Sequence, residues 1–311
     1  MTNLRRTHHT ILVLTLTCLL TAVPASAAPI LYGSTSGVGP STLYNISPAT
    51  GAATAIGPTG FKLIGSLGVA PGGVLYGVGV DAGESEVLLR INTATGAAIS
   101  VGPLGLAFGH FTVSDIAFRP SDGTLFALIS PPPFVDLDLY TINTATGAAT
   151  LVGGLGVGLP AGNGLAFLGN TLYYASPTVS GGSVFTLNQG TGAATLVTSM
   201  TYPPAFGPNA SRPAGMKFDP TTGLLFAVVV NGVLFSNAGT GNLWSLGIID
   251  RTTGVVTFIG RTQAQMDGLA VAGVDLVPTV PTLSEWAQIL MIGFLVATAI
   301  WMMRRRRLTP G

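Results

Sequence analysis

The sequence predicts an all-β fold, a five-bladed β-propeller closed by its own two ends, and three observations predict it. A hairpin phrase recurs five times, a strand–turn–strand phrase recurs between its copies, and each end of the array lacks part of a unit. The hairpin phrase reads "LYNISPATGAATAIG" at 43–57 and "LYTINTATGAATLVG" at 139–153, and its Thr-Gly pairs end at Gly51, Gly96, Gly147, Gly192 and Gly254. Alternating runs on both sides of a short Gly-bearing connection are a hairpin signature. Gly suits such a turn because the last loop residue commonly sits at φ > 0, where a side chain costs energy.

The second phrase is "SLGVAPGGVLYGVGV" at 66, "DIAFRPSDGTLFALI" at 115, "GLAFLGNTLYYAS" at 164 and "GMKFDPTTGLLFAVV" at 215. In each, a short apolar strand meets a tight turn and runs on into Leu-Tyr or Leu-Phe. One phrase of each kind makes four strands. Successive Thr-Gly pairs lie 45, 51, 45 and 62 residues apart, close to the length of a propeller blade and well above the roughly 20–30 residues of a solenoid coil.

The ends of the array complement each other. The segment "ILYGSTS" from Ile30 is the second strand of a unit without a first, and "MDGLAVAG" from Met266 is a first strand with nothing following it. The strand at Gly268 to Ala272 is expected to complete the unit that begins at Ile30, which removes two free edges. First strands are expected to begin at Gly65-Ser66, Ser114-Asp115, Asn163-Gly164, Ala214-Gly215 and Asp267-Gly268, and four of the five second members are Ser or Gly, the other being Asp115, as strands converging on an axis require. Tyr32, Tyr76, Phe126, Tyr173 and Phe226 fall one strand further out and read as packing between blades.

The repeat wording, an apolar strand followed by "LYxI(N/D)xxTG", is similar to that of bacterial NHL- and YVTN-type propeller families. That resemblance covers residues 30 to 273 and implies a fold, not an activity.

Both chain ends carry an address. Residues 1–27 have a basic start at Arg5 and Arg6, an apolar stretch from Ile11 to Val23 and small residues at Ala25 and Ala27, the three parts of a cleaved secretory signal. Residues 28–275 form the expected propeller and 276–286 a linker with a short polar motif. Residues 287–303 are an apolar helix covering about 25 Å at helical rise, near the lower limit for a membrane span, and 304–311 are a basic tail. Arg304, Arg305, Arg306 and Arg307 act as a membrane stop and orient the tail to the cytoplasm, so the propeller is exported.

Val280, Pro281, Thr282, Leu283, Ser284, Glu285 and Trp286, "VPTLSEW", followed by a short span and an Arg cluster, closely resemble the IPTL-CTERM sorting signal of Gram-negative bacteria. Val stands where that motif has Ile. The resemblance implies handling by an exosortase-like membrane processing enzyme, removal of the helix and delivery of the domain to the cell surface or extracellular matrix. Without processing, the chain would remain a single-pass inner-membrane protein with a periplasmic domain.

Composition narrows the function classes. Between residues 29 and 280 there are 11 acidic and 7 basic side chains, no footprint for a nucleic acid. Cys18, inside the leader, is the only cysteine, so the domain has no disulfide, thiol nucleophile or thiolate metal ligand. His110 is the only histidine beyond the leader, no Gly-x-Ser-x-Gly turn accompanies it, and neither zinc nor copper is expected. Asp136 and Asp138 share one face of a strand and do not oppose each other across a cleft as glycosidase carboxylates must.

The expectation is therefore a non-enzymatic binding or structural module without cofactor or metal. Its contacts would lie on long loops carrying His110, Phe111, Phe134, Tyr202, Phe206, Asn209 and Arg212, with polysaccharide or surface proteins as partners. The alternative is an extracellular hydrolase or lyase at the channel mouth. It requires at least three of His110, Asp115, Asp136, Asp138, Arg212, Arg261 and Asp267 to converge.

Overall fold

The structure is a computed structural model. It describes residues 28–273 apart from 38, 107–112, 135, 158–163, 177–181, 207–210 and 232–242, together with Met291. The strands, in chain order, are β1 (Ile30–Thr35), β2 (Pro40–Ile46), β3 (Ala53–Val69), β4 (Leu75–Val80), β5 (Glu86–Ile91), β6 (Ala98–Pro103), β7 (Val113–Phe118), β8 (Leu125–Ile129), β9 (Asp138–Ile142) and β10 (Ala149–Gly154). They continue as β11 (Gly164–Leu168), β12 (Thr171–Ser176), β13 (Ser183–Leu187), β14 (Ala194–Ser199), β15 (Ser211–Phe218), β16 (Leu225–Asn231), β17 (Leu243–Ile249), β18 (Val256–Arg261) and β19 (Met266–Ala272). One 3-10 turn, Pro204–Phe206, interrupts them.

The fold is all-β and of propeller type, built from repeated antiparallel four-strand units. Three sheets have the orders β7-β8-β9-β10, β11-β12-β13-β14 and β15-β16-β17-β18, and a seven-stranded sheet runs β19-β1-β2-β3-β4-β5-β6. The sequence expected two separate units where this seven-stranded sheet lies. They are joined because β3 pairs on both sides: Ala53 to Pro58 pair with β2, Ser66 to Val69 pair with β4, and Lys62 between them faces both Pro40 and Val80. The connection between those stretches is too short to detach, and a register break between Lys62 and Ser66 turns it from one unit to the next. At the other end of this sheet, Leu31 pairs with Val271 and Tyr32 with Ala270.

Register aligns the repeats. Val69 faces Leu75, Phe118 faces Leu125, Phe167 faces Leu172, Phe218 faces Leu225 and Val271 faces Leu31. One residue away, the aromatic side chains Tyr76, Phe126, Tyr173 and Tyr32 each stand opposite a small residue: Gly68, Ala117, Ala166 and Ala270. A small partner leaves room for the ring. These aromatics then reach the next unit's first strand, with ring centroids 5.3 Å apart for Tyr76–Phe118, 5.6 Å for Phe126–Phe167 and 5.2 Å for Tyr173–Phe218. Phe226 is buried with Leu31, Leu269 and Val271.

The buried apolar residues fall into five clusters, each between two successive units. Alternation along a strand sends Leu125, Ala127 and Ile129 to one side and Phe126 and Leu128 to the other. First strands neighbour each other in a cycle: β3 lies against β7, β7 against β11, β11 against β15, β15 against β19, and β19 against β3.

Four of the five Thr-Gly turns share a side-chain cap, and the first has Ser47 in its place. Asn92, Asn143, Asn188 and Asp250 accept two backbone N–H bonds through Oδ1, as in Asn143 from Ala145 and Thr146 at 2.8 and 3.2 Å. The glycine then adopts φ of 74°, 80°, 83°, 80° and 76° at Gly51, Gly96, Gly147, Gly192 and Gly254, as the turn type demands. It meets a second constraint as well. A methyl group at Gly96, Gly147 or Gly192 would collide with the carbonyl oxygen of Gly57, Gly102 or Gly153 on the preceding unit's outer strand. At Gly51 it would lie 2.7 Å from the Gly260 oxygen, so the first unit's turn rests on β18. Backbone hydrogen bonds between units accompany these contacts: Ala149 N to Leu104 O at 2.9 Å, Ala194 N to Leu155 O at 3.1 Å, and the reciprocal Thr201 N to Gly254 O and Val256 N to Thr201 O, both at 2.9 Å.

Candidate functional site

The first strands bring together the domain's least conventional group of side chains. Aligned by register, these strands read "SLGV", "DIAF", "GLAF", "GMKF" and "GLAV". Two positions depart in charge, Asp115 where the others have Ser or Gly, and Lys217 where the others have Ala or Gly. Those two meet: Lys217 Nζ lies 2.7 Å from Asp115 Oδ2, and both are buried. The ammonium also donates to Leu165 O at 3.0 Å and Met216 O at 2.9 Å, which gives its three protons three acceptors. Asp115 accepts from Ile116 N and Leu165 N, both at 2.8 Å. The pair thus ties β7 and β15 together across β11.

Burial dominates its electrostatics. It pushes the Asp115 carboxyl up to about 6, against the lowering effect of Lys217 and the two backbone donors. Burial likewise lowers the Lys217 ammonium, with Asp115 opposing. Both groups therefore carry a desolvation cost that their mutual attraction only partly offsets.

A second polar group marks the start of β19. Ser36 Oγ donates to Asp267 Oδ2, and Trp244 Nε1 donates to Asp267 Oδ1 at 3.3 Å. A third fixes the long connection between β14 and β15. Asn231 Nδ2 donates to Phe206 O at 2.6 Å, and Arg261 donates to Ser245 Oγ at 2.7 Å, Phe206 O at 3.4 Å and Ala205 O at 3.0 Å. The Arg261 guanidinium also lies over the Phe258 ring, 5.3 Å from its centroid. Ser66 Oγ, Arg212 Nε, Asn231 Oδ1 and Thr262 Oγ1 are buried without a hydrogen-bond partner.

The loop residues singled out from the sequence separate into three sets. His110, Phe111 and Asn209 lie outside the described residues, as do Val280 to Trp286 and Arg304 to Arg307. Phe134 is exposed on a turn at φ 64°. Tyr202 and Phe206 pack edge to face at 5.6 Å, Phe206 is buried against Phe258, and burial pushes the Tyr202 phenol well above its usual value. These two are part of the apolar packing between units, although the sequence placed them among ligand contacts. Arg212 is half-buried at the start of β15.

Of the ionisable residues weighed for catalysis, Asp115, Arg261 and Asp267 are each engaged in a separate group described above. Asp138 is raised by burial and by the neighbouring Asp136 charge. Among the described residues, no cluster of three or more His, Cys, Asp or Glu could hold a metal ion, and no helix is long and apolar enough to cross a membrane. Residues 287–303 lie outside that description.

Sequence reasoning missed Lys217. Its signal was present in "GMKF", the one first strand with a charge at its third position, but it emerges only when the five phrases are compared column by column.

No family model matches the chain, and no curated protein matches it. Among solved structures it is similar to the nidogen/laminin complex, with TM-score 0.48, 13% identity, and 79% of this chain and 98% of that chain covered. It is also similar to TolB from Acinetobacter baumannii, with TM-score 0.47, 13% identity, and 80% and 57% covered. An exo-beta-1,3-galactanase from Phanerochaete chrysosporium gives TM-score 0.48, 11% identity, and 75% and 61% covered. Both enzymes and non-enzymes are thus among the similar structures, at identities that carry no activity over to this chain.

Proposed function

We propose that this chain is an exported, non-enzymatic five-bladed β-propeller, sealed by β19 against β1, that serves as a binding or structural module at the cell surface or in the extracellular matrix. The first unit would comprise β19, β1, β2 and the start of β3, and the second the end of β3 with β4, β5 and β6. The cyclic order of the first strands supports the count of five. The leader, the "VPTLSEW" segment and the Arg tail support export and C-terminal processing by an exosortase-like membrane enzyme.

One observation carries the non-enzymatic reading. The acids and bases near the ends of the first strands are engaged in holding strands and loops together: Asp115 with Lys217, Asp267 with Ser36 and Trp244, and Arg261 with the 204–206 turn. Such groups are in the wrong state to exchange protons with a substrate. Polysaccharide or surface proteins are the partners that suit a sparsely charged, Thr- and Gly-rich domain.

Intact-mass analysis of the protein recovered from its native envelope tests the proposal. A mature form beginning near Ala28 and ending near Trp286 is expected. An intact Arg304–Arg307 tail would refute sorting, and hydrolytic turnover of polysaccharide that is lost in Asp267→Asn would refute the non-enzymatic assignment.

A further inference from the structure

The Asp115–Lys217 pair occupies positions where the other four first strands carry only small uncharged residues, and its two members come from strands separated by a third. Ser66, Gly164, Gly215 and Gly268 align with Asp115, and Gly68, Ala117, Ala166 and Ala270 align with Lys217. The common solution among the five strands is therefore small and neutral at both positions, and the chain departs from it twice, with opposite charges that meet at 2.7 Å. A buried pair of this kind is a poor source of stability, because desolvation offsets its attraction. Its best-attested use is to specify one arrangement among near-equivalent ones.

This fold has a specific need for such a device. The five inter-unit interfaces resemble one another: the turn-on-strand contact recurs at all five, and an aromatic ring packs on a Phe of the next first strand at three of them, with Val69 and Val271 in that place at the other two. Apolar packing alone therefore discriminates weakly between the intended neighbour and an equivalent surface on another copy. The closing strand β19 is also the last to be made and pairs with the first, β1, some 240 residues earlier. Until β19 docks, β1 presents an open edge that any copy's β19 fits, the usual opening for strand exchange.

We propose that Asp115 and Lys217 form a brace that fixes the third, fourth and fifth units at one mutual angle before closure, so that β19 reaches the β1 of its own chain and not that of a second copy. The brace works because it spans two interfaces at once: it joins β7 to β15 and is anchored to β11 through Leu165 N and Leu165 O. A pair across a single interface would fix one angle. This one fixes the sum of two, the quantity that decides where the ring ends.

The inference rests on the five-bladed reading, and one experiment separates the failure of each. In the full chain carrying Cys18→Ser, Ile30→Cys and Ala272→Cys place one thiol on each side of the β1–β19 pairing, where the residues are direct partners, within the reach of a disulfide. With Asp115 and Lys217 intact, oxidation is expected to give an intramolecular bond and a monomer on a non-reducing gel. With Asp115→Ser and Lys217→Ala added, the share of disulfide-linked dimers and higher species at the same chain concentration is expected to rise at least about threefold. Asp115→Asn with Lys217→Met, which keeps the side-chain volumes, should behave alike and covers the case in which the first variant does not accumulate. An unchanged monomer share in both backgrounds would overturn the brace and leave closure standing. No disulfide in either background would overturn closure itself.

Discussion

A methyl group on Gly147 would collide with the carbonyl oxygen of Gly102, a residue of the preceding unit, while Gly147 also holds φ at 83°. Turn conformation and inter-unit contact therefore converge on one atom position. Gly105, at φ 73°, separates the two effects, because nothing lies within 4 Å of where its methyl would be. Gly105→Ala is expected to cost about 1 kcal/mol, the left-handed penalty alone. Gly147→Ala should cost about 3 kcal/mol or more, since β10's turn must lift from its neighbour. Chemical denaturation of the two variants checks the difference; equal costs would mean that the turn does not bear on β6.

The buried ion pair predicts a strongly non-additive double-mutant cycle. Asp115→Ser leaves the Lys217 ammonium without its counter-ion, and Lys217→Ala leaves the carboxylate with two backbone donors only. Each single change is expected to cost about 3–5 kcal/mol, and the double change, which restores the residue types of the other strands, about zero or a net gain. Thermal unfolding of the four proteins tests this. Additive costs would show that the two side chains act independently.

Much of this fold was legible because the repeat states each rule several times. The turn glycines, the aromatic positions of Tyr76, Phe126 and Tyr173 and the strand left over at Gly268 to Ala272 all follow from comparing phrases. What stayed hidden depends on neighbours distant in sequence. Gly57, Gly102 and Gly153 look like ordinary ends of a hairpin until the next unit's turn is seen lying on their backbone. Phe206 sits in a loop by sequence but is buried, with Asn231 and Arg261 holding the Ala205 and Phe206 carbonyls onto the sheet. Lys217 is invisible to a search for catalytic motifs, and Asp115, which such a search does weigh, gives no sign of its partner across β11.

Stability should depend on pH through Asp115. Its folded-state carboxyl is raised from 3.8 to about 6, mainly by burial, so the folded protein binds this proton more tightly than the unfolded chain does. The stabilisation is fully present below the ordinary carboxylate range and is lost as pH rises through about 6, a change on the order of 3 kcal/mol. Lys217, lowered by burial, acts in the opposite sense: stability rises with pH once the folded lysine loses its proton and the unfolded one still holds it, and the gain is complete above the ordinary lysine value. Urea unfolding between about pH 4 and pH 7 should show a falling limb in the natural chain that is absent after Asp115→Ser with Lys217→Ala. A limb of the same slope in both would assign it to other carboxylates.

The connection from β14 to β15 gives the last prediction. Arg261 reaches from the end of β18 to Ser245 Oγ and to the carbonyls of Ala205 and Phe206, and Asn231 Nδ2 shares the Phe206 carbonyl. Arg261→Ala removes three donated bonds and the stacking on Phe258 but leaves Phe206 in its apolar site, so the global cost should be modest, about 1–2 kcal/mol. Locally the effect should be larger. Once the strap is lost, the segment around Pro203 to Phe206 opens without unfolding the sheets, a sub-global opening of the kind that exposes a loop to proteases. Limited proteolysis is expected to cut the variant within this connection at least about tenfold faster than the natural chain, if the local opening is eased by about 1.4 kcal/mol. Arg261→Lys, which keeps the charge but not the planar fork, should recover little of the protection. Cleavage rates unchanged by both substitutions would mean that the Phe206 side chain alone holds the loop.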